Sequence, residues 1–190
     1  EVFSRRLNFV CDFNHFYQVN KTDTSIYMRA IHFKRYKVAR LIISSGKYNI
    51  GYINNLNKSS LILAIESLDD KKIVSKEESL DEIVLSIENS VITLENECII
   101  LIDEILKYQG DIKCGHQDNL GNTALIYCSF KNHYEIGYKI IKRSDCNPAC
   151  SNIDGLDALG HFLLYGHEDL VLEMFSSCTS PKAPLNCLFD

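Results

Sequence analysis

Three groups of residues have the types and spacing for chemistry. Cys114 and His116, with Cys146 and Cys150, are four soft ligands that together could close a tetrahedral zinc site. Cys128 and His133, five residues apart, could be a nucleophile and its base. Asp118-Asn119-Leu120-Gly121 offers the oxygen donors and glycine of a cation-binding turn. The four-residue set matches no common zinc spacing, and no glycine-rich phosphate loop, paired-carboxylate motif or kinase-like signature occurs in the sequence.

What these groups can do depends on the elements that hold them. Gly121, Ala124, Leu125, His133 and Ile136 recur 34 residues later as Gly155, Ala158, Leu159, His167 and Leu170. A period in the low thirties, with a turn, a short helix, a His-containing turn and a second helix, predicts stacked helix-turn-helix units. Ser25, Tyr27, Ala30, Tyr36 and Val38 stand 98 residues before Thr123, Leu125, Cys128, Tyr134 and Ile136, which adds a unit at the N-terminal end. Turn positions are expected at Asp23, Asn57, Gly121 and Gly155, and Gly46 suits the left-handed residue that ends a helix.

Between Asn57 and Gly121 the spacing is 64, one period with 30 extra residues. The insertion falls inside the second unit, where Leu61 to Ile65 supply the first helix and Ile102 to Leu106 the second. Residues 66–97 carry ten acidic and three basic side chains, a net −7. Ser79-Leu80-Asp81-Glu82 reads as a capping box, followed by the apolar stripe Ile83, Val84, Ile87 and Val91. This predicts one extra acidic helix and a second helix lengthened to run from about Val91 to Tyr108.

The sequence resembles the ankyrin repeats, through Gly121-Asn122-Thr123-Ala124-Leu125 and Gly166-His167-Glu168-Asp169-Leu170-Val171. Gly121 to Cys128, with Cys146-Asn147-Pro148, is similar to the divergent ankyrin proteins of large DNA viruses. The resemblance implies an all-α fold: an ankyrin-repeat solenoid of about four helix-turn-helix units with short hairpin loops and a helical insertion in the second repeat. Residues 1–18 would be a partial N-terminal repeat, its second helix and outgoing loop. Residues 19–178 would be the repeat domain, with units at about 20–53, 54–117 (insertion 66–95), 118–151 and 152–178, and residues 179–190 an irregular tail. In that pattern Thr123 caps the first helix, Asp157 keeps a capping oxygen in the fourth unit, and Phe162 in place of a small residue marks a looser or terminal unit. His133 and His167 would bond loop backbone. Cys128 would lie between helices, where a thiol is an inert small hydrophobe, and His116 and Cys150 would stand about 10 Å apart, one repeat, too far to share a zinc ion. No catalytic residue, metal or cofactor is expected.

Composition agrees with a folded chain. It is 46% hydrophobic and 24% charged over 190 residues, with a net charge of −5 that disfavours general nucleic-acid binding. No apolar run approaches the ~20 residues that cross a bilayer, and the start has no signal-peptide pattern, so no membrane role is expected. The eight cysteines form no regular framework and are read as reduced, consistent with an intracellular, cytoplasmic protein, in the host cytoplasm if the viral likeness holds. A monomer, or a fragment of a longer repeat protein, is expected.

Function then falls to the surface. The resemblance implies a non-enzymatic module that binds a protein partner through the concave face of hairpin tips and first helices. The implied contact residues are Lys21, Thr22, His32 and Phe33 in unit one, and Asn55 and Leu56 in unit two. Unit three supplies Asn119, Leu120, Phe130 and Lys131, and unit four Asp154, Leu156 and Tyr165. About half of these are expected to pack on neighbouring repeats instead. Two alternatives remain: the acidic insertion recognises a basic partner, or the array is a spacer in a larger protein.

Overall fold

The computed structural model describes residues 16–19, 22–69 and 82–178, with side chains over 25–69 and 93–176. The chain opens with an antiparallel ribbon, β1 (Phe16–Val19) and β2 (Thr22–Ser25). Helices α1 (Ile26–His32) and α2 (Tyr36–Ser44) follow, then α3 (Ser60–Glu66) and α4 (Glu82–Lys107). The last two pairs are α5 (Ala124–Phe130) with α6 (Tyr134–Ile141), and α7 (Ala158–Leu164) with α8 (Glu168–Cys178).

Each first helix starts on the same capping chemistry. Ser25, Ser59, Thr123 and Asp157 accept from the amides of Met28, Ile62, Ile126 and Gly160 through their side-chain oxygens. Such caps satisfy donors that the helix cannot satisfy itself, each worth about 1 kcal/mol. The helices are only two turns long, so packing stabilises them rather than propensity. The first helices α1, α3, α5 and α7 stack in order, and in the second layer α2 packs on α4 and α6 on α8. Tyr27, Met28 and Ile31, then Leu61, Ile62 and Ile65, then Leu125 and Ile126, then Phe162 form one continuous buried core. This is the helix-turn-helix solenoid that the resemblance implies.

Polar bonds tie the second layer together. Arg40 meets Glu97 and Glu104 at 3.2 and 2.8 Å, joining α2 to α4, and Lys139 meets Asp103 at 2.6 Å, joining α4 to α6. Arg143 donates to the carbonyls of Leu106, Tyr108 and Gly110 while held by Asp145. The carbonyls at the end of α4 thus have one guanidinium as their partner.

The structure corrects the sequence reading in four places. α4 is one helix from Glu82 to Lys107, where a separate acidic helix and a start near Val91 were expected. No glycine or proline interrupts residues 82–107, and the apolar spacing through Ile87, Val91, Leu94, Cys98 and Leu101 runs on without a phase change. The first hairpin is also different: Asp23 pairs with Gln18 in the ribbon instead of sitting in a left-handed turn. The strand-forming residues Phe16, Tyr17, Val19, Thr22 and Thr24 extend the ladder, and the reversal falls between Val19 and Thr22. In later hairpins single bridges, Ile53 to Ser59 and Ser151 to Asp157, replace the ribbon.

The third correction concerns Phe162. It is fully buried, and a Cβ at Gly137 would stand 3.1 Å from its ring, so a glycine in α6 supplies the room. The unit is not looser there. Fourth, His167 bonds the side chain of Asn132 at 2.7 Å, whereas His133 bonds the backbone carbonyl of Asp69 at 2.9 Å as expected. Of the expected N-terminal partial unit, residues 1–15 lie outside the described residues, as do the capping box at Ser79 and the tail 179–190.

Candidate functional site

The side of the first helices turned away from the second layer forms one continuous inner face. Three registers of residues cross it from unit one to unit four. Arg29, Leu63, Tyr127 and His161 share one position, His32, Glu66, Phe130 and Leu164 the next, and Phe33, Lys131 and Tyr165 the last, where Ser67 of unit two instead bonds Tyr36 and Cys98 of the second layer. The hairpin tips border one edge of this face and the C-terminal ends of the first helices border the other. Seven-residue helices separate the two edges by about 10 Å.

The tips are rigid. Asn54 Oδ1 accepts from the amides of Leu56 and Lys58, and Asn152 Oδ1 accepts from those of Asp154 and Leu156. Asp118 Oδ1 accepts from Leu120 and Asn122, and its Oδ2 accepts the Tyr127 hydroxyl at 2.8 Å. The carboxylate of the suspected cation turn is therefore committed to its own hairpin. Asn57 Nδ2 donates to Gln117 O, and Ile153 N to Leu120 O, so tips two, three and four are bonded in a row. Along this row Asn55, Leu56, Asn119, Leu120, Asp154 and Leu156 are all exposed.

The other edge is less uniform. His32 and Phe33 are exposed, with ring centroids 5.1 Å apart. Phe130 is half-buried and meets His161 edge-on at 4.5 Å, and Lys131 Nζ donates to Leu68 O at 2.6 Å. Tyr165 is exposed. Phe130 and Lys131 thus serve the packing between units as well as the surface. Lys21 lies outside the described residues, and Thr22 belongs to β2 with its side chain undescribed.

Between the edges sit residues that the sequence reading did not single out, Tyr127 and His161. Their signal was present, because they occupy equivalent positions 34 residues apart. Tyr127 lies below the Lys58 ammonium at 5.6 Å, and Lys58 bridges Glu66 at 2.6 Å. Burial, and then the Asp118 carboxylate, push the Tyr127 hydroxyl well above its usual range. It donates a hydrogen bond and does not act as a base. His161 Nδ1 is buried without a hydrogen-bond partner.

Polarity changes along this face. Units one and two present Arg29, His32, Lys58 and Glu66 beside the apolar Phe33 and Leu56, while units three and four present Leu120, Ile153, Leu156, Leu164 and Tyr165. Ile153 is 69% exposed and Leu164 82%.

The suspected nucleophile is placed for packing. Cys128 is fully buried, and burial pushes its thiol well up, away from the thiolate that catalysis needs. Among the described residues no group of three His, Cys, Asp or Glu is arranged to hold a metal ion. Of the four suspected ligands, Cys114 and Cys146 flank the backbone bond from Gly115 N to Asp145 O. No helix among the described residues is long and apolar enough to cross a membrane.

No protein-family model matches the chain, and no curated protein matches it. Among solved structures it is similar to the crystal structure of an ankyrin repeat domain from Acinetobacter baumannii. The two are 16% identical over 93% of this chain and 91% of that one, with a TM-score of 0.34. The fold is a helix-turn-helix solenoid. Its four capped first helices and their ordered stacking carry that assignment.

Proposed function

We propose that this protein is a non-enzymatic protein-binding module, and that its partner sits on the inner face of units three and four. The observation that carries this reading is the run of exposed apolar side chains from Leu120, Ile153 and Leu156 at the tips to Leu164 and Tyr165 at the helix ends. Apolar clusters of this size on a soluble surface mark interaction sites, and aromatic residues dominate the energy of such sites. Phe33, Asn55 and Leu56 extend the face toward unit one, where the surface becomes polar.

A second reading makes the acidic insertion the recognition element for a basic partner, and at its start Glu66 and Asp69 pair with Lys58 and Lys34 of this chain. A host protein as partner is supported only by the likeness of Gly121 to Cys128 and of Cys146-Asn147-Pro148 to viral ankyrin proteins.

Affinity capture from expressing cells tests the reading. Leu156→Asp with Tyr165→Ala is expected to lower partner recovery more than tenfold with the melting temperature unchanged. Leu41→Lys on the exposed side of α2 is expected to leave recovery intact. Phe130→Ala is a poor probe, because its ring also packs on His161. Recovery that survives the double substitution would place the partner elsewhere.

A further inference from the structure

We propose that Cys114 and Cys146 are a redox-sensitive pair that closes to a disulfide and staples the link after α4 to the link after α6. The two links run side by side. Gly115 N donates to Asp145 O at 2.8 Å and Ile112 N to Asp145 Oδ2 at 3.4 Å, while a Cβ at Gly115 would lie 2.9 Å from Asn147 N. The residues on either side of the Gly115 to Asp145 bond are Cys114 and Cys146, and both pack within one apolar cluster. Both are free thiols in this structure. Two cysteines that flank a bond between adjacent backbones and share one apolar cluster are placed for a disulfide to form with little movement.

Access sets the order of events. Cys114 is 1% exposed, and Cys146 is mostly buried but more accessible. A small disulfide such as oxidised glutathione meets Cys146 first. The Cys146 thiolate, having lost its proton to solvent, attacks one glutathione sulfur and expels the other glutathione as a thiolate. Cys114, deprotonated in turn, then attacks the Cys146 sulfur, forms the protein disulfide and expels the second glutathione. Two protein thiols are oxidised and one glutathione disulfide is reduced to two thiols. The neighbouring Cys114, and then burial, raise the Cys146 thiol above its ordinary value, so the first step is favoured by higher pH.

The bridge would close a loop of about 30 residues and so restrict the unfolded chain. It would also stiffen the base of the binding face. Gln117, three residues after Cys114, donates to Gly121 O and Ser151 O at the roots of tips three and four.

The test uses the full chain, equilibrated with oxidised and reduced glutathione and then alkylated. Cleavage before aspartates separates Cys114 in peptide 111–117 from Cys128 in 118–144, with Cys146 and Cys150 together in 145–153. The expected product joins 111–117 to 145–153, and Cys150→Ser leaves it unchanged. The oxidised protein is expected to melt about 5–10 °C above the reduced form. Linkage of Cys114 to Cys128, loss of the bridge in Cys150→Ser, or a lasting glutathione adduct at Cys146 with Cys114 alkylated would each overturn the proposal. The pairing of peptides is mapped on the unaltered sequence, and Cys150→Ser serves only to separate Cys146 from Cys150.

Discussion

Gly137 of α6 and Phe162 of α7 are shaped to each other: a Cβ at position 137 would stand 3.1 Å from the far end of the Phe162 ring, with Leu125 and Leu170 closing the same space. A glycine in a helix interior costs about 1 kcal/mol relative to alanine, and here that cost is offset by burying a whole phenyl ring between units. Gly137→Ala recovers the propensity but overpacks the ring, a penalty of about 1–3 kcal/mol. A net loss of about 1 kcal/mol is expected in urea unfolding. Gly137→Ala placed on Phe162→Leu is expected to stabilise instead. The same sign in both backgrounds would show that the two positions are not coupled.

Arg143 is the second place where one residue serves several. It caps three carbonyls after α4 and is held by Asp145 at 2.7 Å. Arg143→Met leaves those carbonyls and a carboxylate without their donor, a loss of about 2–3 kcal/mol. Arg143→Lys is expected to recover little, since an ammonium cannot reproduce the planar fork. Full recovery with lysine would show that charge alone matters at this site.

Tyr27, Tyr36, Tyr48 and Tyr127 all have hydroxyls pushed above the usual range, with burial the largest cause in each case. The folded state favours their neutral form, so this contribution to stability is fully present below about pH 10, the unfolded value. It declines as pH rises above that and is lost through the higher folded values. Unfolding above pH 10 is therefore expected to coincide with the last phase of phenolate absorbance. Complete tyrosine ionisation while helicity is intact would contradict it.

Thr123 holds the N-terminus of α5 through the Ile126 amide at 3.2 Å. Thr123→Ala is expected to cost about 1 kcal/mol, and Thr123→Ser much less. Equal losses in thermal unfolding would assign the effect to the methyl group and not to the cap.

The local features of the fold were legible in the sequence, because they repeat. Thr123 and Asp157 are capping residues in their expected positions, and the insertion declared itself as a broken period between Asn57 and Gly121. Features that depend on two distant residues were not. Nothing in the spacing of Gly137 and Phe162, or of Arg143 and Leu106, marks them as partners, since each contact is set by how one unit lies on the next. Asp23 misled because the strand-forming residues around it outweighed the repeat register. For the site, the tip residues followed from the register, whereas Tyr127 and His161, though also one period apart, were overlooked because their residue types differ between units.

The inner face of units three and four is the central claim, and site-specific photo-crosslinking tests it most directly. A benzophenone amino acid placed in turn at Leu120, Leu156, Leu164 and Leu41 would be activated in expressing cells. The account predicts one common protein adduct from Leu120, Leu156 and Leu164 and none from Leu41. An adduct confined to Leu41, or unrelated adducts from the three inner-face positions, would contradict it.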